Sequence, residues 1–338
     1  MAELQQQPAT TGPAAEVPPT AGARLLRRAL ELWGTWGIAL VLILLVLLMA
    51  FIAPNFTSLS NAFNIARATS ITAILAAGMT VVILTAGIDL SVGSILAVCG
   101  VTSVLLWNAG LPPVLCVLLS VLVGAVAGLL NGVLVAYLSL AAFIVTLGTL
   151  TSLRGAAYAL TDGKPLIAEG DLGFRMLGGG NFAAVPIPIW LMLITYAVLW
   201  FVLERTRYGR HVYAVGGNPE AALMAGIKIR RVIASAYVIA GITAGLAGVM
   251  FSARVESGQP TAGQGYELQA IAAVVLGGTS LMGGRGRVVG TLVGAFIMGV
   301  LTNGMILMNI AFFTQLMVQG AVIILAVAID SLKNRYTR

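Results

Sequence analysis

Residues 38–53, "IALVLILLVLLMAFIA", run for sixteen positions without a charged or strongly polar side chain. Stretches of this kind recur along the chain and leave it few ways to fold. The 338 residues are 59% hydrophobic and only 9% charged, where a soluble domain carries about 25% charged residues. With a mean hydropathy of +0.99, there is too little polar surface to coat a globule in water. Lipid accepts only helices or closed barrels, because every backbone N–H and C=O must find a partner inside the protein. Barrel strands would alternate apolar and polar over segments of about ten residues. The runs here are continuous, so the chain reads as an all-α polytopic membrane protein.

A hydrocarbon layer of about 30 Å takes about 20 helical residues to cross. Ten segments qualify: 33–53, 65–85, 94–108, 113–136, 141–160, 186–203, 232–253, 266–282, 289–308 and 312–330. The third is short and abuts a break at 86–93, where a re-entrant arrangement would change the count. The charges give an independent check. With the N-terminus in the cytoplasm, the cytoplasmic side receives Arg24, Arg27, Arg28, Arg205, Arg207, Arg210, Lys228, Arg230, Arg231, Arg285, Arg287, Lys333, Arg335 and Arg338. The far side receives Arg67, Lys164, Arg175 and Arg254, and Arg154 falls inside a segment. Fourteen against four is the asymmetry of the positive-inside rule, and it favours ten crossings with both termini cytoplasmic. Residues 1–31, rich in Gln, Pro, Ala and Thr, read as a disordered cytoplasmic tail; 32–332 form the transmembrane domain, and 333–338 a second cytoplasmic tail. No cleavable signal peptide is apparent.

Two stretches resemble one another. "AGIDLSVGSILA" begins at Ala86 and "GGRGRVVGTLVG" at Gly283; without gaps Gly87 meets Gly284, Val92 meets Val289, Gly93 meets Gly290 and Ser94 meets Thr291. An offset of 197 residues maps the first four segments onto the last four in the same direction, a parallel internal repeat. Transporters are often built from such repeats. Asp89 is the one acid between Glu31 and Asp162, and the second copy has Gly286 in its place, between Arg285 and Arg287. Asp89 either caps the third helix with Ser91 or pairs with Arg285 or Arg287 of the sister copy as an inner gate. The sequence does not choose. Spaced glycines, Gly124 and Gly128 or Gly241, Gly245 and Gly248, fit close helix packing.

The longest basic loop, 204–231, contains "GGNPEAALMAGI". Asn218 suits an N-cap, Pro219 the first helical position, and Glu220 the positive end of the dipole; Gly226 ends the helix. So short a helix is marginal alone. It either lies on the protein's own surface or docks a cytoplasmic partner. His211 reads as an ordinary solvated or interfacial residue. Cys99 and Cys116 lie in apolar runs, as buried small hydrophobes, and no metal-ligand spacing is present.

Three motifs in order, "GIDLSVGSILAVCG", "YGRHVYAVGGNPEAALMAGIKIRR" and "GGTSLMGGRGRVVGTLVGAFIMGVLTNGMILM", resemble the membrane permeases of bacterial ABC sugar importers, the ribose-permease-like family. The likeness covers about residues 35–332. It implies a homodimer or pseudo-dimer of permeases in the bacterial inner membrane, a cytoplasmic ABC ATPase and a periplasmic sugar-binding protein, with no nucleic-acid partner. It makes Gly216, Gly217, Asn218, Pro219, Glu220, Ala221, Ala222 and Gly226 the coupling helix that meets the ATPase. Family members often carry a basic residue where this chain has Leu223, so the contacts of that helix differ here.

Phosphate-binding G-x-x-x-x-G-K-[ST] is missing, and "GGTSLMGGRGR" lacks its lysine and hydroxyl. ATP and magnesium would therefore sit on a partner subunit, with no cofactor on this chain. No nucleophile–base set points to an enzyme. The rival class is an ion-coupled transporter of a small polar solute, which would usually place ionisable relays inside its spans. Arg154 is nearly the only candidate, and it could snorkel to the outer surface. A passive channel would need a selectivity ring built by an oligomer.

Overall fold

A computed structural model describes residues 21–170 and 173–336. The chain divides into two units, residues 1–37 and 38–338, and the architecture below is that of the second. In chain order the elements are α1 (Ala21–Ile52), α2 (Leu59–Leu84), α3 (Val92–Asn108), α4 (Pro113–Ala136), α5 (Ala142–Leu160), β1 (Leu166–Ile167), α6 (Arg175–Gly179), β2 (Asn181–Phe182), β3 (Val185–Pro186), α7 (Ile187–Arg205), α8 (Arg207–Gly217), α9 (Pro219–Met224), α10 (Ile229–Val255), β4 (Ser257–Gly258), α11 (Tyr266–Leu276), α12 (Val288–Leu307) and α13 (Phe312–Tyr336). The strands form two short antiparallel pairs, β1 with β4 and β2 with β3.

Among the described residues six helices are long and apolar enough to cross a membrane: α2, α4, α5, α7, α10 and α12. Shorter apolar stretches, Gly37–Ile52, α3, α11 and Phe312–Ala328, stand where the other four segments were expected. The helical polytopic architecture therefore holds. Of the expected 1–31 tail, residues 1–20 lie outside the described residues, and α1 already begins at Ala21. At the other terminus α13 runs through the start of the expected tail to Tyr336, and residues 337–338 lie outside the described residues.

Burial sorts the helices into centre and rim. In α2, 83% of the most apolar stretch is buried, against 22% in α4. α2, α3 and α10 supply most of the main core, through side chains such as Ile74, Leu75, Ile83, Leu96 and Tyr237. The outward face of α4 is aliphatic, with Leu118, Leu122, Val126 and Leu130 exposed, which suits lipid. α4 meets α10 through glycines, as expected. A side chain on Gly124 would strike the Gly241 carbonyl, and one on Gly241 the Gly124 carbonyl. Backbone approach of this kind lets dispersion hold helices together where lipid removes the hydrophobic drive.

The loops collect at two opposite ends. At one, the Gly284 N–H donates to the Leu84 carbonyl at 3.0 Å and the Tyr213 hydroxyl to the Gly286 carbonyl at 2.9 Å. This basic end carries Arg205, Arg207, Arg210, Lys228, Arg230, Arg231, Arg285 and Arg287. At the other, Asn61 and Asn303 exchange hydrogen bonds at 3.0 Å, and Leu166 pairs with Gly258. Successive apolar segments thus alternate in direction.

The eighth segment departs from expectation. The expected helix over 266–282 stops at Leu276, capped at Gly277, with Gly278 at φ +82. Before it, the chain turns back after β4 and runs as irregular backbone to Gly265. Gly258 lies beside Val101 and Val104 of α3, and Gly263 beside Gly93 and Leu96. Pro260 and the positive φ of Gly263 and Gly265 (+70 and +79) keep this stretch from forming a helix. α11, with 11 residues, is about 16 Å long, half the hydrocarbon thickness. The parallel repeat falters at the same place. By the 197-residue offset α3 stands against α12, but α2, a helix of 26 residues, stands against this broken segment.

Candidate functional site

Between α7 and α10 the basic end carries two small helices, of which only the second was anticipated. α8 starts where the Thr206 hydroxyl accepts the Gly209 N–H at 3.4 Å and buries Gly209, Val212, Val215 and Gly216. That spacing is one face of a helix, and it was legible behind the surrounding Arg, His and Tyr residues. His211 is exposed.

α9 has the punctuation that its residues suggest. The Asn218 side-chain oxygen accepts the Ala221 N–H at 3.0 Å, Pro219 is the first helical residue, and Glu220 lies in the first turn. Gly226 follows with φ +78, the left-handed conformation that ends helices. Ala222 is buried, while Glu220, Ala221, Leu223 and Met224 face outward. At 64% and 90% exposure, Leu223 and Met224 give the helix an apolar tip where a basic residue was expected from the resemblance.

The junction of α8 and α9 is joined to the transmembrane core by backbone. A side chain on Gly216 would run into the Leu84 carbonyl at the end of α2 and meet Gly284 N at 2.7 Å. Gly284 is itself bonded to Leu84. Tyr213 extends the joint to Gly286, and its phenol is pushed up to about 12, chiefly by burial, then by Glu204, with Arg287 opposing. It stays protonated at neutral pH and keeps donating to the Gly286 carbonyl. Tyr208 is likewise raised by burial, and its hydroxyl lies 2.9 Å from that of Ser235 on α10.

Asp89 does not meet the arginines. It is fully buried, and its Oδ1 accepts the Ser91 N–H at 2.9 Å and the Ser91 hydroxyl at 2.6 Å. The Asn131 side-chain amide donates to Ser91 Oγ at 2.8 Å, and the Thr149 hydroxyl donates to Asn131 Oδ1 at 2.6 Å. A polar chain thus runs from the α2–α3 connection through α4 to α5. Arg285 and Arg287 are exposed, and the one ion pair among the described residues is Arg175–Glu256, at 3.0 Å. The inter-repeat pair is therefore absent here. Asp89 satisfies a local turn, because exposed guanidinium groups keep their hydration by staying outside.

Arg154 does not snorkel either. Its guanidinium donates to the carbonyls of Pro260 and Ala262, both at 2.6 Å. The signal that could have found this is a charge in mid-segment opposite "SGQPTAGQG", whose Pro and Gly leave carbonyls unpaired.

At the opposite end, the connection from α5 to α7 packs against the end of α3. Trp107 stacks on Phe174 with ring centroids 5.7 Å apart, and its indole N–H donates to the Glu169 carbonyl at 2.6 Å. Asp162, Lys164, Glu169 and Arg175 belong to this connection.

The family described as "Branched-chain amino acid transport system / permease component" matches residues 61–327. The chain is 46% identical over 299 residues to the ribose import permease protein of Bacillus subtilis, covering 88% of this chain and 93% of that protein. It is 44% identical over 299 residues to the ribose import permease protein of Escherichia coli K12, at 87% and 93% coverage. The D-allose transport system permease protein of the same strain is 38% identical over 309 residues, at 90% and 93% coverage. No solved structure matches. On this match and these identities, the chain belongs to that permease-component family and resembles its ribose import permeases.

Proposed function

We propose that this protein is the transmembrane permease subunit of an ATP-driven importer that moves a ribose-like monosaccharide across the bacterial inner membrane. A periplasmic binding protein delivers the sugar and a cytoplasmic ABC ATPase supplies the energy. The chain works as a homodimer, crosses the membrane ten times and keeps both termini in the cytoplasm. It hydrolyses nothing itself: ATP and magnesium sit on the ATPase. The observation that carries this reading is α9, an exposed, capped helix whose base at Gly216 touches the end of α2 and the Gly283–Gly286 turn through main-chain atoms.

The mechanics follow from that contact. Closure of the ATPase pushes Pro219, Glu220, Ala221, Leu223 and Met224. Asn218 and Gly217 transmit the push to Gly216, where there is no compliant side chain to absorb it. α2 is displaced directly, and α11 and α12 through the turn between them. Specificity comes largely from the binding protein, so the path through the permease needs only weak polar contacts.

The deciding experiment is uptake of labelled ribose, allose and arabinose into proteoliposomes, with ATPase and binding protein present or withheld. Uptake requiring all three components and ATP is expected. Uptake by the permease alone, driven by an ion gradient, overturns the reading in favour of a secondary transporter.

A further inference from the structure

Exposed polar residues inside an apolar span have a cost in lipid, so their placement is informative. Along α4 the exposed side chains from Val114 to Val133 are all aliphatic, and along α7 those from Trp190 to Phe201 are all apolar. α5 differs. Gly148, Thr151, Ser152 and Gly155 are exposed on it, and nothing in the protein lies within 4 Å of where a side chain on either glycine would begin. Beside this face runs the irregular stretch before α11, tied to α5 by Arg154 through Pro260 and Ala262. Thr261, between those two carbonyls, is exposed, and so is Gln264.

The depth of this stretch matters. Gly263 packs beside Gly93 and Leu96 of α3. The Leu96 carbonyl lies against Gly248 of α10, and Gly241, two turns below, faces Gly124 in the middle of α4. The stretch therefore reaches well into the span. Irregular backbone at such depth survives only if it is buried in protein or lines water. Pro260, Ala262 and Gly263 are buried, but Thr261 and Gln264 are not, and among the described residues their side chains hydrogen-bond to no protein atom. Water, or a solute rich in hydroxyl groups, is what meets that demand.

We infer that Thr151 and Ser152 of α5, with Thr261 and Gln264 of the irregular stretch, line the aqueous path and contact the sugar as it crosses. Arg154 is a positioning residue that holds the irregular stretch against α5. This inference rests on the importer reading, and its first test is read without transport. Ser152→Cys, Thr261→Cys and Gln264→Cys are each placed in membrane vesicles of both orientations and exposed to a membrane-impermeant, charged thiosulfonate. Leu118→Cys and Val126→Cys on the aliphatic face of α4 serve as controls, and the parent chain with its buried Cys99 and Cys116 sets the background.

Path-lining positions should react faster than the α4 controls, which face lipid, and saturating ribose, allose or arabinose should slow at least one of them. Thiols that stay unreactive but form disulfide-linked dimers on oxidation would make this face a contact between copies and overturn the inference. Unreactive, unlinked thiols would place the face in lipid and overturn it equally. Reaction unaffected by any of the three sugars would remove the contact with solute. Arg154→Lys should retain uptake with a raised half-saturation constant, whereas Arg154→Met should lose both uptake and the sugar protection at Thr261→Cys. Loss of uptake with labelling and protection unchanged in Arg154→Met would dismiss its positioning role. Cysteine variants that label as expected, beside a wild-type protein that transports no sugar with its partners, would sink the importer reading and leave the aqueous face standing.

Discussion

Gly216 and Asn131 show how much single positions decide here, for opposite reasons. Gly216 has no room: a methyl group would enter the space of the Leu84 carbonyl and crowd Gly284 N. Backbone cannot rotate away as a side chain can. Gly216→Ala should therefore cost about 1–3 kcal/mol, seen as a lower melting temperature in detergent, and should weaken sugar-stimulated ATP hydrolysis beyond what the stability loss explains. An unchanged melting temperature would show that the joint is looser than these contacts. Asn131 is buried and bonded on both sides, to Ser91 and Thr149. Asn131→Leu removes one bond from each, but the Ser91 hydroxyl keeps Asp89 and the Thr149 hydroxyl keeps the Val145 carbonyl, so the cost should be about 0.5–1.5 kcal/mol, seen as a lower melting temperature in detergent. By contrast Arg285→Ala and Arg287→Ala should shift stability by no more than about 0.5 kcal/mol, since neither group pairs with Asp89. A large loss in either would revive the inter-repeat pair. Asp89 as a local turn former was within reach of the sequence, because Ser91 follows it at the spacing of an Asx turn. Its choice between Ser91 and the arginines was not, because that depends on how far the guanidinium groups must leave water.

Among the elements, α9 was the most legible. Asn218, Pro219, Glu220 and Gly226 announce a helix through local capping that hardly depends on the rest of the fold. α8 was missed although its buried face is regular, because Arg207, Arg210 and His211 give the stretch the look of a loop. The half-helix α11 lay beyond sequence reasoning for a different cause. The apolar residues 266–282 fit a full crossing; Pro260, Gly263 and Gly265 mark an irregular stretch before it, but only packing against α3 shows that this stretch lies inside the span. The exposed face of α9 invites a charge test. Glu220 sits in its first turn, where a carboxylate suits the N-terminal partial charge by about 0.3–1 kcal/mol and a cation opposes it. Glu220→Arg should leave membrane insertion intact and uncouple ATP hydrolysis from uptake. Normal uptake by that variant would remove α9 from the coupling path.

At the scale of the whole molecule, the loops among the described residues fall into two sets: Leu84, Gly216, Gly284 and Gly286 meet at one end, and Asn61, Ile167, Ser257 and Asn303 lie at the other. Such a division follows from apolar helices that cross the hydrocarbon layer, because each leaves its two ends on opposite sides. Orientation is a separate matter. It rests on the crowding of arginine and lysine at the first end, and a positive charge is worth most where the membrane potential and anionic lipid hold it. Arg230→Cys, exposed at the start of α10, and Lys164→Cys, exposed in the connection after α5, sit at opposite ends. An impermeant thiol reagent should label Lys164→Cys in intact spheroplasts and Arg230→Cys only in inverted vesicles. The reverse pattern would turn the molecule over, put α9 outside the cell, and leave an ATPase with nothing to push.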